Sequence, residues 1–275
     1  MLHQTLFMWM KCKIVVLVKQ VPDTRYVGKN AMKEDGTVNR AALPAIFNPE
    51  DLNALEQALR MKEQYPQVTV ELLTMGPSRA SELIREGLFR GADGGILLTD
   101  RKFAGADTLA TSYALALALQ KMSPNLVMAG RQAIDGDTAQ VGPQVAEKLH
   151  WPQVTYVEEI LSYDGSRIEV KRRLERGVEV VSAPLPLLIT VHGSAAPCRP
   201  RHAKLLLKHK RTVVTEWGAA EVGGAEQLYG LAGSPTRVKK IENIVFQAKE
   251  SKRIGASTTE MDELIRELMT NHTIG

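Results

Sequence analysis

Gly130, Asp135, Gly136, Asp137 and Thr138 lie in a small polar loop between an apolar run, Leu126 to Ala129, and a segment with apolar residues at helical spacing, Val141, Val145 and Leu149. A strand, a glycine-bearing loop and a helix start in succession present backbone N–H groups that have no intrahelical acceptor, and the helix dipole adds positive potential at that end. The chemistry this suits is the holding of an anion, above all a phosphate. Thr138 is placed to donate to a phosphate oxygen, and Thr138 or Asp137 is expected to cap a helix that begins at Ala139. The spacing is neither GxGxxG nor a Walker loop, so an ordinary strand-to-helix connection is the other reading of these residues alone. Two more stretches have similar content. Lys19 to Asp23 follows the first apolar strand, and open α/β sheets bind ligands at such strand ends. In "FAGADT" (103–108) a glycine again precedes an acid and a hydroxyl at a helix start.

The elements that must position these residues alternate. Apolar, β-rich runs at 13–18, 68–75, 94–100 and 126–129 read as buried parallel strands. Between them lie helical patterns. The first opens on Asn48-Pro49-Glu50-Asp51, with Asn48 as the expected cap, Pro49 at the first helical position and Leu52, Leu55, Leu59 and Met61 as the apolar stripe. "SRASELIREGLFRGA" makes the next, and "FAGADTLATSYALALALQKM" a loop followed by a helix carrying Leu115 and Leu119. Such alternation predicts an α/β fold: a mostly parallel, twisted sheet with helices on both faces. The polar loops then share one edge of the sheet and can line one elongated pocket. "EDGT" (34–37) is expected to be a hairpin turn.

After Trp151-Pro152 the pattern changes to alternation with a "DGS" turn, which predicts a small antiparallel section ending in another buried strand at 186–191. A basic segment follows, 198–211, with Leu205, Leu206 and Leu207 in its middle. It reads as a partner-binding anchor or as a short helix packed on its own core. From about 212, five glycines in a short span suggest an extended C-terminal arm. The arm ends in an amphipathic helix at 257–269, with a capping box from Ser257 to Glu260. The expected organisation is an N-terminal extension at 1–12, an α/β domain at 13–212, and an arm and helix at 213–275 that pack on another subunit.

Composition narrows the function classes. Hydrophobic residues make up 44% and charged residues 24% of the 275, as in an ordinary soluble globular protein. No apolar run is long enough to span a bilayer. The opening "MLHQTLFMWMKCK" reads as an upstream extension rather than a signal peptide, so the cytoplasm is the expected compartment. Cys12 and Cys198 cannot form a metal site alone, and free thiols are expected. The net charge of +4 is concentrated in 171–176 and 198–211, and aromatics are only 5%. No stacking residues interleave with the second basic run, which weakens a nucleic-acid reading; a basic face for an acidic protein partner or for phosphates fits as well.

Four stretches resemble one known family: "VLVKQVPD" after the first strand, "NPEDLNALEQAL" at the first long helix, "AGRQAIDGDTAQVGPQVAE", and the basic segment ending in "LLLKHK". From Lys13 to about Trp217 the chain resembles the β subunit of electron-transfer flavoproteins. The resemblance implies an adenine-nucleotide α-hydrolase-like fold and a heterodimer with an α subunit that carries a redox-active FAD. It also implies a nucleotide in the β subunit's strand-end loops, AMP in one branch and a second FAD in the electron-bifurcating branch. "GDTAQVGP" at 136–143 and "FAGADT" match the bifurcating branch, which favours FAD, with AMP as the alternative. A hydrolase or ligase of the same superfold needs a phosphate-gripping "SGGxDS" signature, which the sequence lacks.

Carried over residue by residue, the resemblance implies that Leu17 and Asn48 contact the adenosine, with Met75 beside them, and that Asp107, Thr108 and Thr111 belong to the loop near the flavin. Gly130, Gln132, Ala133, Ile134, Asp135, Gly136, Asp137, Thr138, Ala139, Gln140, Val141 and Gly142 make the rest of the cofactor-binding set. Asp135 or Asp137 orients loop amides or accepts from ribose hydroxyls, since a carboxylate aimed at a phosphate repels it. The flavin does the redox chemistry, so no side chain need be an acid–base catalyst. The implied function is electron transfer from NADH or a dehydrogenase to partner oxidoreductases, by bifurcation where ferredoxin or flavodoxin takes one electron. The alternative is an AMP-binding structural subunit. In the segment that docks onto dehydrogenases in the family, Arg199, Lys208 and Lys210 keep their places. The family's acid is lost there, and its leucine anchor falls at Ala203, with Leu205 two residues on.

Overall fold

β1 (Cys12–Leu17) alternates between two apolar layers, and the sheet is built outward from it. Cys12, Ile14 and Val16 enter one core, Val15 and Leu17 the other. A strand buried on both faces must be apolar at nearly every position, which is why "CKIVVL" shows no polar alternation. In the computed structural model, which describes residues 11–23, 44–236 and 253–271, β1 pairs in parallel with β4 (Val68–Met75) and with β6 (Leu126–Gly130). β5 (Gly94–Leu98) continues the sheet beyond β4, and β10 (Leu187–Val191) and then β7 (Gln153–Tyr163) continue it beyond β6. β8 (Arg167–Leu174) and β9 (Gly177–Pro184) extend it antiparallel. A separate antiparallel pair joins β2 (Gln20–Pro22) to β3 (Ala45–Phe47).

The helices divide between the faces. α1 (Pro49–Gln64) and α2 (Ser81–Arg90) pack on the layer of Ile14, Val16, Leu72 and Met128. α3 (Thr108–Met122) and α4 (Val141–Leu149) pack on the layer of Val15, Leu17, Val127 and Leu188. The chain runs from β1 through β4 to β5 in one direction, then returns to β6 on the other side of β1. The reversal opens a crevice between the carboxyl ends of β1 and β6, where an open α/β sheet takes its ligand.

Three expectations need correction. The helix after the polar loop begins at Val141, not Ala139; Gln140 holds the cap position, and neither Thr138 nor Asp137 caps it. Asp137 and Ala139 adopt φ of 48° and 52°, left-handed backbone that keeps the loop from continuing into the helix. The α/β domain also runs past 212. β11 (Thr215–Trp217) pairs in parallel with β5 and completes a sheet of nine strands. Beyond it, Ala219, Val222 and Tyr229 are buried in the α3 layer. Lastly, α5 (Ala203–His209) buries none of its residues, so it does not pack its leucines into a core.

The chain falls into two units, Met1–Lys240 and Ile241–Gly275. In the second, α6 (Thr258–Thr270) is capped by the Ser257 side chain, which accepts from the Glu260 N–H, and Met261, Ile265 and Met269 are exposed. The "EDGT" turn lies outside the described residues. At the far edge of the sheet, β9 carries exposed Val178 and Val180. Among the described residues no helix is long and apolar enough to cross a membrane, no group of acidic, His and Cys residues could hold a metal, and both cysteines are free thiols.

Candidate functional site

A cavity of about 430 Å³ opens at the carboxyl edge of the sheet, over β1, β4 and β6. Its apolar wall is Leu17, Leu73, Met75, Phe103 and Leu115, and its polar wall is the loop after β6. Thr138, Ala139, Gln140, Val141 and Gly142 line it, and among the described residues nothing accepts a hydrogen bond from their N–H groups. Val141 and Gly142 open α4, so the helix's positive end meets the cavity. Lys19 and Arg131 also line it, each paired with a carboxylate, Asp135 and Glu50 respectively.

The loop is held from behind by the first turn of α1. The Asn48 side chain donates to Gln132 O (2.9 Å) and accepts from Ile134 N–H (3.2 Å). Glu50 accepts from Gln132 N–H (2.9 Å) and pairs with Arg131 (3.0 Å). The two oxygens of Asp51 accept from Gly130 N–H (3.1 Å) and Lys19 N–H (2.8 Å), tying the ends of β6 and β1 together. Such close approach requires Gly130, where a Cβ would collide with Asp51 Oδ1 and stand 2.7 Å from the Glu50 carbonyl carbon. Burial pushes the Asp51 carboxyl up to about 7, against the pull of the hydrogen bonds it receives. Asn48 therefore occupies the cap position of α1 without capping it; its side chain goes to the loop instead.

Both acids of the loop have side-chain partners. Lys19 Nζ bonds both oxygens of Asp135, at 2.8 and 2.9 Å. Asp137 Oδ1 accepts from Gln132 Nε2 at 2.8 Å. With these charges engaged by the protein, the unpaired N–H groups set the character of the cradle.

Across the cavity, Asp107 caps α3 by accepting from Ala110 N–H at 3.0 Å, and Thr108 Oγ1 donates to Gln140 Oε1 at 2.9 Å. Burial would raise the Asp107 carboxyl, but the hydrogen bonds from Ala110 and Thr236 outweigh it and hold the group below its ordinary value.

Most of the residues expected from the sequence meet here. Leu17, Met75, Asp107, Thr108, Thr111, Gly130, Gln132, Ala133, Gly136 and Asp137 line the cavity together with the stretch from Thr138 to Gly142. Asn48, Ile134 and Asp135 stand behind the wall and position it. Asp51, Phe103 and Arg131 also line the cavity, without a sequence signal of their own. Asp51 read as a first-turn acid on a helix, and only the fold shows it facing two strand ends.

The segment expected to dock a partner is divided. Arg199 is tied to α1, bonding Glu56 at 2.9 and 3.1 Å and pairing with Glu63. Ala203, Lys208 and Lys210 are exposed and Leu205 is half-buried; the fully presented leucine is Leu207, at 77% exposure.

Residues 35–222 match the family described as "Electron transfer flavoprotein domain". The chain is 45% identical over 236 residues to the electron transfer flavoprotein subunit beta of Megasphaera elsdenii, covering 83% of this chain and 86% of the relative. It is 45% identical over 230 residues to the caffeyl-CoA reductase–Etf complex subunit CarD of Acetobacterium woodii, covering 82% and 86%. It is 41% identical over 260 residues to protein FixA of Rhizobium meliloti, covering 91% and 88%.

Proposed function

We propose, on the premise that this chain belongs to the electron transfer flavoprotein family as a β subunit, that it binds FAD in the cavity and, with an α subunit, passes electrons to partner oxidoreductases. The observation that carries the reading is the row of unpaired N–H groups from Thr138 to Gly142 at the start of α4. These donors suit a pyrophosphate. Leu17, Leu73, Met75, Phe103 and Leu115 offer apolar walls to ring systems.

The flavin, when bound, supplies the hydride and single-electron chemistry. The chain's own residues bind and orient it. Asn48, Glu50 and Asp51 preset the loop, so little of its ordering is left to the binding event. The apolar wall excludes water from the rings. With the chemistry supplied by the flavin, no side chain need be an acid–base catalyst.

The finer reading is the bifurcating one, in the cytoplasm: NADH as donor, ferredoxin or flavodoxin as one acceptor, and a dehydrogenase or reductase as the other. The relative named as a subunit of a caffeyl-CoA reductase complex supports an acyl-CoA-linked redox partner. The exposed basic helix α5, with Leu207 and Lys208, is the surface we assign to it. The test is nucleotide stoichiometry of the purified αβ complex after acid extraction. Two FAD per dimer are expected. One FAD with one AMP removes the FAD assignment in favour of the structural, AMP-binding subunit, and a colourless complex removes both.

A further inference from the structure

The "FAGADT" loop is gripped from outside by a segment of the chain that no motif marks. Leu231 N–H donates to Ala104 O at 3.0 Å, and Ser234 Oγ accepts from Asp107 N–H at 2.8 Å. Ser234 is only 6% exposed, and its hydroxyl proton goes to Gly230 O at 2.7 Å. Thr236 gives two bonds to Asp107 Oδ2, from Oγ1 at 2.8 Å and from N–H at 3.2 Å. Upstream, Tyr229 is buried edge-on against Phe103, with ring centroids 5.0 Å apart. Gly230, at φ 51°, lets the backbone close in; a Cβ there would collide with Lys102 O and stand 2.7 Å from Ala104 O.

These contacts use up Asp107. One oxygen caps α3 and the other takes both Thr236 bonds, so this carboxylate, which lines the cavity, has its oxygens committed to the protein. The next residue is the one that reaches across. Thr108 Oγ1 donates to Gln140 in the phosphate-cradle loop and accepts from Gln144 Nε2 at 3.4 Å. A continuous run of bonds therefore leads from Ser234 and Thr236 through Asp107 and Thr108 to Gln140.

We propose that Ser234 and Thr236 are positioning residues for the nucleotide site: they hold Asp107 so that Thr108 meets Gln140 and the two loops close on the ligand. This rests on the nucleotide reading above. Neither residue lines the cavity, so any effect on affinity passes through Asp107.

The test uses the full αβ complex, stripped of nucleotide and titrated separately with FAD and with AMP. Thr236→Val keeps the shape and the N–H but loses the hydroxyl bond to a charged acceptor. It should weaken the nucleotide about tenfold, while the thermal midpoint of the nucleotide-free complex stays near that of the unaltered protein. Thr236→Ser restores the bond and should restore the affinity. Ser234→Ala is the second variant, removing the acceptor for Asp107 N–H, and should weaken binding in the same direction. Unchanged affinity in both Thr236→Val and Ser234→Ala overturns the inference. So does a Thr236→Ser variant that binds as poorly as Thr236→Val, because packing of the methyl group is then what matters. If the unaltered complex takes neither FAD nor AMP, the nucleotide reading itself falls, and this inference with it.

Discussion

One glycine-bearing segment lines the cavity and another grips the loop opposite it from outside, and they treat their backbones in opposite ways. The loop from Gly130 to Gly142 turns through left-handed positions at Asp137 and Ala139 and leaves the N–H groups from Thr138 to Gly142 unpaired among the described residues. The segment from Gly218 to Thr236 commits its polar groups to the protein: Ala219 N–H to Asp100, Ala225 N–H to Tyr113, Leu231 N–H to Ala104, Thr236 to Asp107. The same residue type accompanies unpaired N–H groups in one place and a tight backbone contact in the other. Glycine content alone therefore does not distinguish a binding loop from a clamp; the fate of the neighbouring N–H groups does.

The comparison breaks most sharply at Gly230. Gly230→Ala puts a methyl group against two carbonyl oxygens at a left-handed φ. It should cost about 3 kcal/mol of stability, read by chemical denaturation. A loss under about 0.5 kcal/mol would show that the clamp is loose after all.

Asp51→Asn comes next. An amide cannot accept at both atoms, so one of the N–H groups of Lys19 and Gly130 loses its partner, at a cost of about 1–3 kcal/mol. The pH dependence should change as well. The folded protein holds the Asp51 proton up to about 7, above the ordinary carboxyl value of 3.8, so it binds more protons than the unfolded chain between those limits. This group's contribution is therefore fully present at low pH and is lost as pH rises through about 7. Denaturation midpoints followed from pH 5 to 8 should fall less in the variant than in the unaltered protein. Equal slopes would mean that Asp51 is not the group titrating.

Smallest is Gly136→Ala in the cradle loop. A Cβ there meets nothing within 4 Å and the backbone needs no left-handed φ, so stability should move by less than about 0.5 kcal/mol. A large loss would mean that the cradle loop is as tightly packed as the clamp.

How much of this was legible in the sequence follows from the range of the signals. Strands buried on both faces write themselves as mostly apolar runs, and β1, β4 and β6 fall within a residue of where "KIVVLV", "VTVELLTM" and "LVMA" place them. The strand-end loops were legible too, because glycine, acid and hydroxyl together mark strand-to-helix turns. Asn48 shows the limit: the local pattern predicts a cap, and its bonds go to Gln132 and Ile134, more than eighty residues away. The clamp was illegible for the same reason. Glycines at 218, 223, 224, 230 and 233 read as looseness, since nothing local reveals that Lys102 and Ala104 approach from the opposite side. The three residues of β11 are too few to carry a period of their own and form only because β5 offers a free edge.

That free edge has a counterpart at the other end of the sheet. β9 is the last strand in the order, with Val178 and Val180 exposed, and an open row of backbone donors and acceptors can template a further strand. Exposed Glu175, Arg176 and Glu179 surround it. A second chain laid along β9 would strip water from those charges. Among the described residues no further strand pairs with β9, and growth of the sheet there is opposed by desolvation of these charges.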